Sequence, residues 1–203
     1  MLDYQKIQAN FKKNNMECLF VKDKEALFDL LGSMLSKDSS TGSGDSVTLE
    51  DIGVFEYLEN KTIFNNKHQQ GLSKEEKRNI YLKNFDVDFF FTGTNAITVN
   101  GEIFNIDGNG SRVAPMLYGP RRVIIIVGVN KIVETLDDAI QRSRQVAAVL
   151  DAKRLEKNTP CIKLNYCIDC NSDERICNDY VLIKRQFDKD RIKVIIVDDN
   201  LGY

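Results

Sequence analysis

At 203 residues with 42% hydrophobic side chains, the chain is long enough for one full core and short for two, so a single α/β domain over 1–203 is expected. Its 28 Lys+Arg against 30 Asp+Glu leave a formal net charge of −2 with no long run of either sign, which argues against nonspecific nucleic-acid binding. The N-terminus MLDYQKIQANFKKNN breaks its apolar pairs with charges and amides, and the longest apolar run, 123–129, falls short of the roughly 20 residues of a membrane span, so a cytoplasmic protein with no membrane span is expected.

Residues 4–14 and 24–36 predict helices, the second with Leu27, Leu30, Leu31 and Met34 at helical spacing behind Asp23 as N-cap. A short strand, 18–21, lies between them. The run Ser39-Ser40-Thr41-Gly42-Ser43-Gly44-Asp45-Ser46 predicts a short strand turning into a helix over 47–58, a turn that could hold an anion. Ser73 with Glu76 three residues later is a capping box opening a helix to about Asn84. Phe89–Phe91 and Val123–Val127 are apolar at every position, as befits strands of a parallel sheet covered on both faces, and each leads into Gly-x-Asn: Gly93-Thr94-Asn95 and Gly128-Val129-Asn130. Between them, Asn100-Gly101 predicts a hairpin whose two turn positions need positive φ, and 113–118 a short helix with Pro115 in its first turn. An amphipathic helix over 135–150 follows, and the apolar runs 180–183 and 192–197 are expected to finish the sheet.

Ligands of open parallel sheets bind at the carboxyl ends of the strands. That places Ser43, Gly44, Asp45, Thr94, Asn95, Asp107, Gly108, Asn109, Arg112 and Asn130 in one candidate pocket for a small anionic metabolite. Arg112, set in the glycine-rich loop, is the first choice of anion clamp; Arg121, Arg122 and Lys131 are second choices. Asp107 and Glu102 are the candidate catalytic residues, with Asp45 a further carboxylate that could act as a base; acidic residues beside glycine also form turns. His68, the single histidine, lies in a polar loop and reads as solvated.

Four of the five cysteines fall close together as Cys161-x5-Cys167-x2-Cys170-x6-Cys177, which disfavours a secreted disulfide framework. Cys167-x-x-Cys170 is a chelating pair that its neighbours could complete to four sulfurs, for zinc or for an iron–sulfur cluster. Ordinary packed thiols and a redox pair stand as the alternatives. Cys18 reads as core.

The segments FFTGTNAIT, NGEIFNIDGNGSRVAPMLYGP, RRVIIIVGVNKIV, DAKRL, TPC, CIDCNS, RICNDYV and RIKVIIVDDNLGY resemble the LUD-domain family of lactate-utilisation proteins over nearly the whole chain. The resemblance implies a three-layer α/β/α sandwich, mostly parallel with a β-hairpin, of the type shared by sugar-phosphate isomerases and coenzyme A transferases. It also implies a cellular context of L-lactate oxidation. The role expected here is an accessory component beside iron–sulfur partner proteins, with a homodimer as one assembly; the alternative is a stand-alone enzyme on a sugar phosphate or an acyl-coenzyme A. Isomerases of this fold commonly place an acid/base aspartate where this chain has Asn95. An amide binds by hydrogen bonds but exchanges no proton at neutral pH.

Overall fold

The run Val123–Val127 needs no polar residue because it occupies the middle of a sheet packed on both faces. The computed structural model describes residues 2–189 and 191–203. Along the chain come α1 (Tyr4–Lys13), β1 (Glu17–Val21), α2 (Lys24–Met34), β2 (Ser40–Ser43), α3 (Val47–Ile52), α4 (Val54–Lys61), β3 (Ile63–Phe64), α5 (Lys74–Lys83) and β4 (Phe89–Thr92). Then follow β5 (Ala96–Thr98), β6 (Ile103–Asp107), α6 (Val113–Leu117), β7 (Arg122–Gly128), β8 (Ile132–Val133), α7 (Leu136–Arg142), α8 (Ala148–Arg154), α9 (Pro160–Leu164), β9 (Asp179–Ile183) and β10 (Ile192–Val197).

The main sheet has the order β1-β10-β7-β4-β2-β3, and every neighbouring pair is parallel. Because side chains alternate across a strand, Val123, Ile125 and Val127 join one core with Ile7 and Phe11 of α1, while Ile124 and Ile126 join another with Leu27, Leu31, Leu49 and Leu58 of α2, α3 and α4. These side chains are fully or almost fully buried, each worth about 1.5–3 kcal/mol of transfer free energy. The sheet is thus the middle of an α/β/α arrangement with its strand ends aligned.

A second, four-stranded sheet, β8-β5-β6-β9, contributes to the α1 side through Ile97, Ile103 and Ile183. Its other face packs on α7, where Ala96, Phe104 and Ile106 meet Ala139. The expectation that both terminal apolar runs finish one sheet therefore holds for β10, which inserts between β1 and β7, and fails for β9, which pairs antiparallel with β6. Alternation in 179–183 explains this: the strand buries Ile183 and leaves Tyr180 and Leu182 exposed, as an edge strand with one covered face does.

Other boundaries shift for local reasons. The helix expected over 47–58 breaks at Gly53, whose φ of 82° ends α3 and starts α4. The β5–β6 turn has positive φ at Gly101 (78°) but not at Asn100; Gly101 N–H bonds Thr98 O at 3.0 Å, so this is a type I turn closed by a left-handed glycine rather than a two-residue mirror-image turn. The helix expected over 135–150 continues to Arg154 and contains a π turn, Ser143–Ala147, between α7 and α8. The capping box is present, Ser73 N–H reaching Glu76 at 2.8 Å and Glu76 N–H reaching Ser73 at 3.2 Å. Among the described residues no helix is long and apolar enough to cross a membrane.

Candidate functional site

A cleft of about 410 Å³ opens at the carboxyl ends of β2 and β4 and the end of β6, within the range of small-ligand sites. Of the expected binding residues, Asp45, Thr94, Asn95, Asp107, Gly108, Asn109 and Arg112 line it. Ser43, Gly44 and Asn130 do not. Ser43 is buried within β2; Gly44 is close by, where a Cβ would fall 2.6 Å from Arg112 Cγ, so the glycine makes room for the arginine stem. Asn130 ties down the end of the chain, donating to Gly202 O at 3.3 Å and accepting from Leu201 N–H at 3.2 Å.

Arg112 is placed as expected but is not a free clamp. It is 8% exposed, and its two terminal nitrogens donate to Ile106 O at 2.9 Å, Asn95 Oδ1 at 3.3 Å, Gly93 O at 3.5 Å and Asn105 Oδ1. The guanidinium therefore fastens the β4–β5 turn to β6. Asp107 is held in turn: its Oδ2 accepts from the backbone N–H of Arg112 (3.1 Å) and Val113 (3.2 Å), which fixes the entry to α6. Asn95 Oδ1 also accepts from Ile106 N–H at 2.8 Å, and Thr94 Oγ1 lies 3.2 Å from both Ala96 O and Phe104 O. These polar groups organise the loops before they meet any ligand.

Glu102, the second catalytic candidate, is outside the cleft. It precedes β6 whereas Asp107 ends it, a separation of roughly 16 Å at about 3.3 Å per residue. Its carboxylate accepts from Thr98 Oγ1 at 3.1 Å and pairs with Lys184 at 3.5 Å. Asp45 takes the buried Lys67 ammonium at 2.6 Å. Burial opposes ionisation of Asp45 and Lys67 outweighs it, holding the carboxyl below its ordinary pKa. His68 is exposed, as its loop position suggests, and its ring lies against Phe55 with centroids 4.4 Å apart and planes tilted by 34°.

Of the second choices of anion clamp Lys131 lines the cleft and Arg121 and Arg122 do not, and the cleft also recruits residues that loop composition does not reveal: Tyr81, Asp151, Arg154, Arg175 and Tyr203. Arg154 pairs with Asp151 at 2.7 Å and Arg175 with Asp169 at 2.9 Å. Tyr203 Oη receives Arg154 Nε at 2.9 Å and donates to Asp151 at 3.0 Å; burial and Asp151 push its pKa up to about 12. Lys131 differs. It is 4% exposed, donates to Thr48 Oγ1 at 2.7 Å, and among the described residues no carboxylate lies within ion-pair distance of it. Burial, then Arg142 and Arg112, bring its pKa down to about 7. The one sequence signal is a lysine straight after a buried strand and its Gly-x-Asn turn.

The four clustered cysteines come together: Cys161, Cys167, Cys170 and Cys177 line one small pocket behind the cleft, all as free thiols. Among the described residues no three His, Cys, Asp or Glu side chains are arranged to hold a single metal ion, so this arrangement does not present the closed tetrahedron of zinc. Cys18 is buried in the core, and its burial raises its pKa to about 12.

No curated protein matches the chain. Among solved structures it is similar to a DUF162 family protein from Deinococcus radiodurans, with 12% identity over 97% of this chain and 99% of that one and a TM-score of 0.47. It is also similar to ribose 5-phosphate isomerase from Plasmodium falciparum, with 16% identity over 55% of this chain and 52% of that one and a TM-score of 0.32. Ribose 5-phosphate isomerase A from Methanocaldococcus jannaschii gives 16% identity over 64% and 55% and a TM-score of 0.31. The LUD domain model matches residues 4–197, and the chain therefore belongs to the LUD domain family, which is associated with lactate utilisation.

Proposed function

We propose that the cleft binds a small anionic metabolite, a carboxylate or phosphate, and that the protein serves lactate utilisation as an accessory component rather than by catalysing proton transfer at the β4–β5 turn. Lys131 carries this reading: a buried ammonium in the cleft wall whose hydrogen bond to Thr48 uses one of its three donors and which, among the described residues, has no carboxylate within ion-pair distance, Asp51 acting on it only from further off. An arriving anion would complete its pairing. The carboxylates at the cleft, Asp45, Asp107 and Asp151, already face Lys67, Arg112 and Arg154, so they add little repulsion. Asn95 at the turn supplies hydrogen bonds, in keeping with binding.

A second reading, an enzyme acting on a sugar phosphate or an acyl-coenzyme A, is favoured by one observation: a lysine titrating at about 7 is suited to general acid/base work. Isothermal titration with L-lactate, pyruvate, ribose 5-phosphate and acetyl-coenzyme A tests the binding reading. One or more should bind, and Lys131→Met should weaken that binding about 30-fold, the loss of roughly 2 kcal/mol for a hydrogen bond to a charged group. Unchanged affinity in the variant, or no binding of any of the four, refutes it. Turnover of either of the last two, lost in Lys131→Met, would favour the second reading.

A further inference from the structure

The pocket lined by the four cysteines has features that packed thiols do not require. All four cysteines line it, yet among the described residues no three metal-ligating side chains converge on a single ion. Four thiolates closed on one zinc at about 2.3 Å would converge in that way. An iron–sulfur core, several atoms across and ligated from its corners, takes thiolates that stand further apart. The remaining walls are mostly apolar, Ala148, Val149, Ala152, Ile168 and Ile176.

The polar groups around this pocket point the same way. Arg144 Nη2 lies 3.9 Å from Cys167 Sγ, and Arg144 Nε is buried with no hydrogen-bond partner, an orphaned donor in the wall of a sulfur-lined pocket. Asp169 N–H approaches Cys167 Sγ at 3.4 Å. Asp169 itself has φ of 54°, an uncommon conformation for a residue with a side chain, between the two cysteines of Cys167-x-x-Cys170. Arg144 (3.6 Å) and Arg175 (2.9 Å) hold that Asp169, while Arg175 also donates to Cys170 O at 2.6 Å and Cys177 O at 2.9 Å. Two guanidinium groups are thus built into the wall of a site that would carry net negative charge once four thiolates and sulfides were present.

We propose that Cys161, Cys167, Cys170 and Cys177 ligate a four-iron iron–sulfur cluster, with Arg144 as a positioning residue that donates to its sulfur atoms. The site is joined to the anion cleft: Ala148, Arg175 and Ile176 line both, and Asn178, next to Cys177, bonds Asp107 O at 2.9 Å through its N–H and Gly108 O at 2.9 Å through its side chain.

The test is anaerobic reconstitution of the full chain with ferrous iron and sulfide, followed by iron and sulfide analysis, visible absorption and electron paramagnetic resonance after dithionite reduction. About four irons and four sulfides per chain, with broad visible absorption and a signal on reduction, are expected. Cys167→Ser and Cys170→Ser should lose at least half of the iron, whereas Cys18→Ser should keep it all. Arg144→Met should retain the cluster with a lower reduction potential, because it removes a positive charge and a donor to sulfur. Circular dichroism of the serine variants separates cluster loss from misfolding; should they unfold, alkylation of wild type decides, the four thiols being protected after reconstitution and reactive after chelation. Zinc at about one per chain without sulfide, iron below about one per chain, or iron unchanged in Cys167→Ser each overturns the proposal. None of these measurements involves the cleft ligand.

Discussion

Lys131 offers a sharp test because its state can be set by pH alone. With a pKa of about 7, its ammonium is mostly present at pH 6 and almost absent at pH 9. If only the charged form binds, the apparent Kd scales with the inverse of the charged fraction, which falls roughly 90-fold over that range. The hydrogen bond from a charged donor, about 2–3 kcal/mol, sets its own ceiling near 30- to 150-fold, so a weakening of between roughly 30- and 100-fold is expected. A carboxylate ligand such as L-lactate keeps its single charge throughout, with a pKa near 4. Of the other cleft groups with shifted pKa, Asp45 is held low and Tyr203 is pushed up to about 12, so neither titrates there. Titration calorimetry at pH 6, 7, 8 and 9 in buffers of different ionisation enthalpy measures both the affinity and the expected uptake of about half a proton at pH 7. A wild-type Kd flat within about twofold from pH 6 to 9, or the same slope surviving in Lys131→Met, refutes the reasoning.

The same lysine should shape stability. Its folded pKa lies below the unfolded value of about 10.4, so the unfolded chain binds more protons between those limits and stability rises with pH from about 7 toward 10. Denaturant titrations should show that rise in wild type and its absence in Lys131→Met, which should be the more stable of the two at pH 6. Arg112→Met removes a buried staple and leaves several carbonyl acceptors unpartnered, at a cost of about 3–5 kcal/mol; for a domain of this size a fall in Tm of roughly 10 °C is expected, and a fall under about 2 °C would contradict the assigned bonds. Gly101→Ala meets both a left-handed φ and a backbone atom, Phe11 N, 2.7 Å from the new Cβ; a loss of about 1–3 kcal/mol, read by urea unfolding, is expected. Glu102→Gln should leave ligand affinity within about twofold of wild type, because its carboxylate is at the far end of β6; a tenfold loss would place it at the site after all.

What was legible in the sequence followed from short-range physics. The doubly covered strands Phe89–Thr92 and Arg122–Gly128 declare themselves by having no polar alternation, and Ser73 with Glu76 declares a helix start by satisfying two orphan N–H groups. The site was legible only where it is made of consecutive loop residues, as at Thr94-Asn95 and Asp107-Gly108-Asn109. Lys131 was legible as a second-choice anion clamp after its Gly-x-Asn turn, whereas Asp151, Arg154 and Tyr203 reach the cleft through tertiary placement, which leaves no local mark. Arg112 shows a different gap. Its position could be inferred, but whether its donors face a ligand or backbone carbonyls depends on how β6 lies beside the β4–β5 turn. The cysteines gather as their spacing suggests, while the pocket between them is visible only in three dimensions.

The π turn at Ser143–Ala147 acts as a phase adjuster. A π turn takes one more residue than an α turn, so everything downstream is rotated by about 100° relative to an unbroken helix. Arg144 inside it faces the sulfurs, Ala147 and Ala148 at its end line the cleft, and Asp151 and Arg154 arrive at the rim in that phase. Deleting a single residue there would leave an ordinary helix whose polar residues had swung off both cavities at once. One extra residue thus keeps two sites in register.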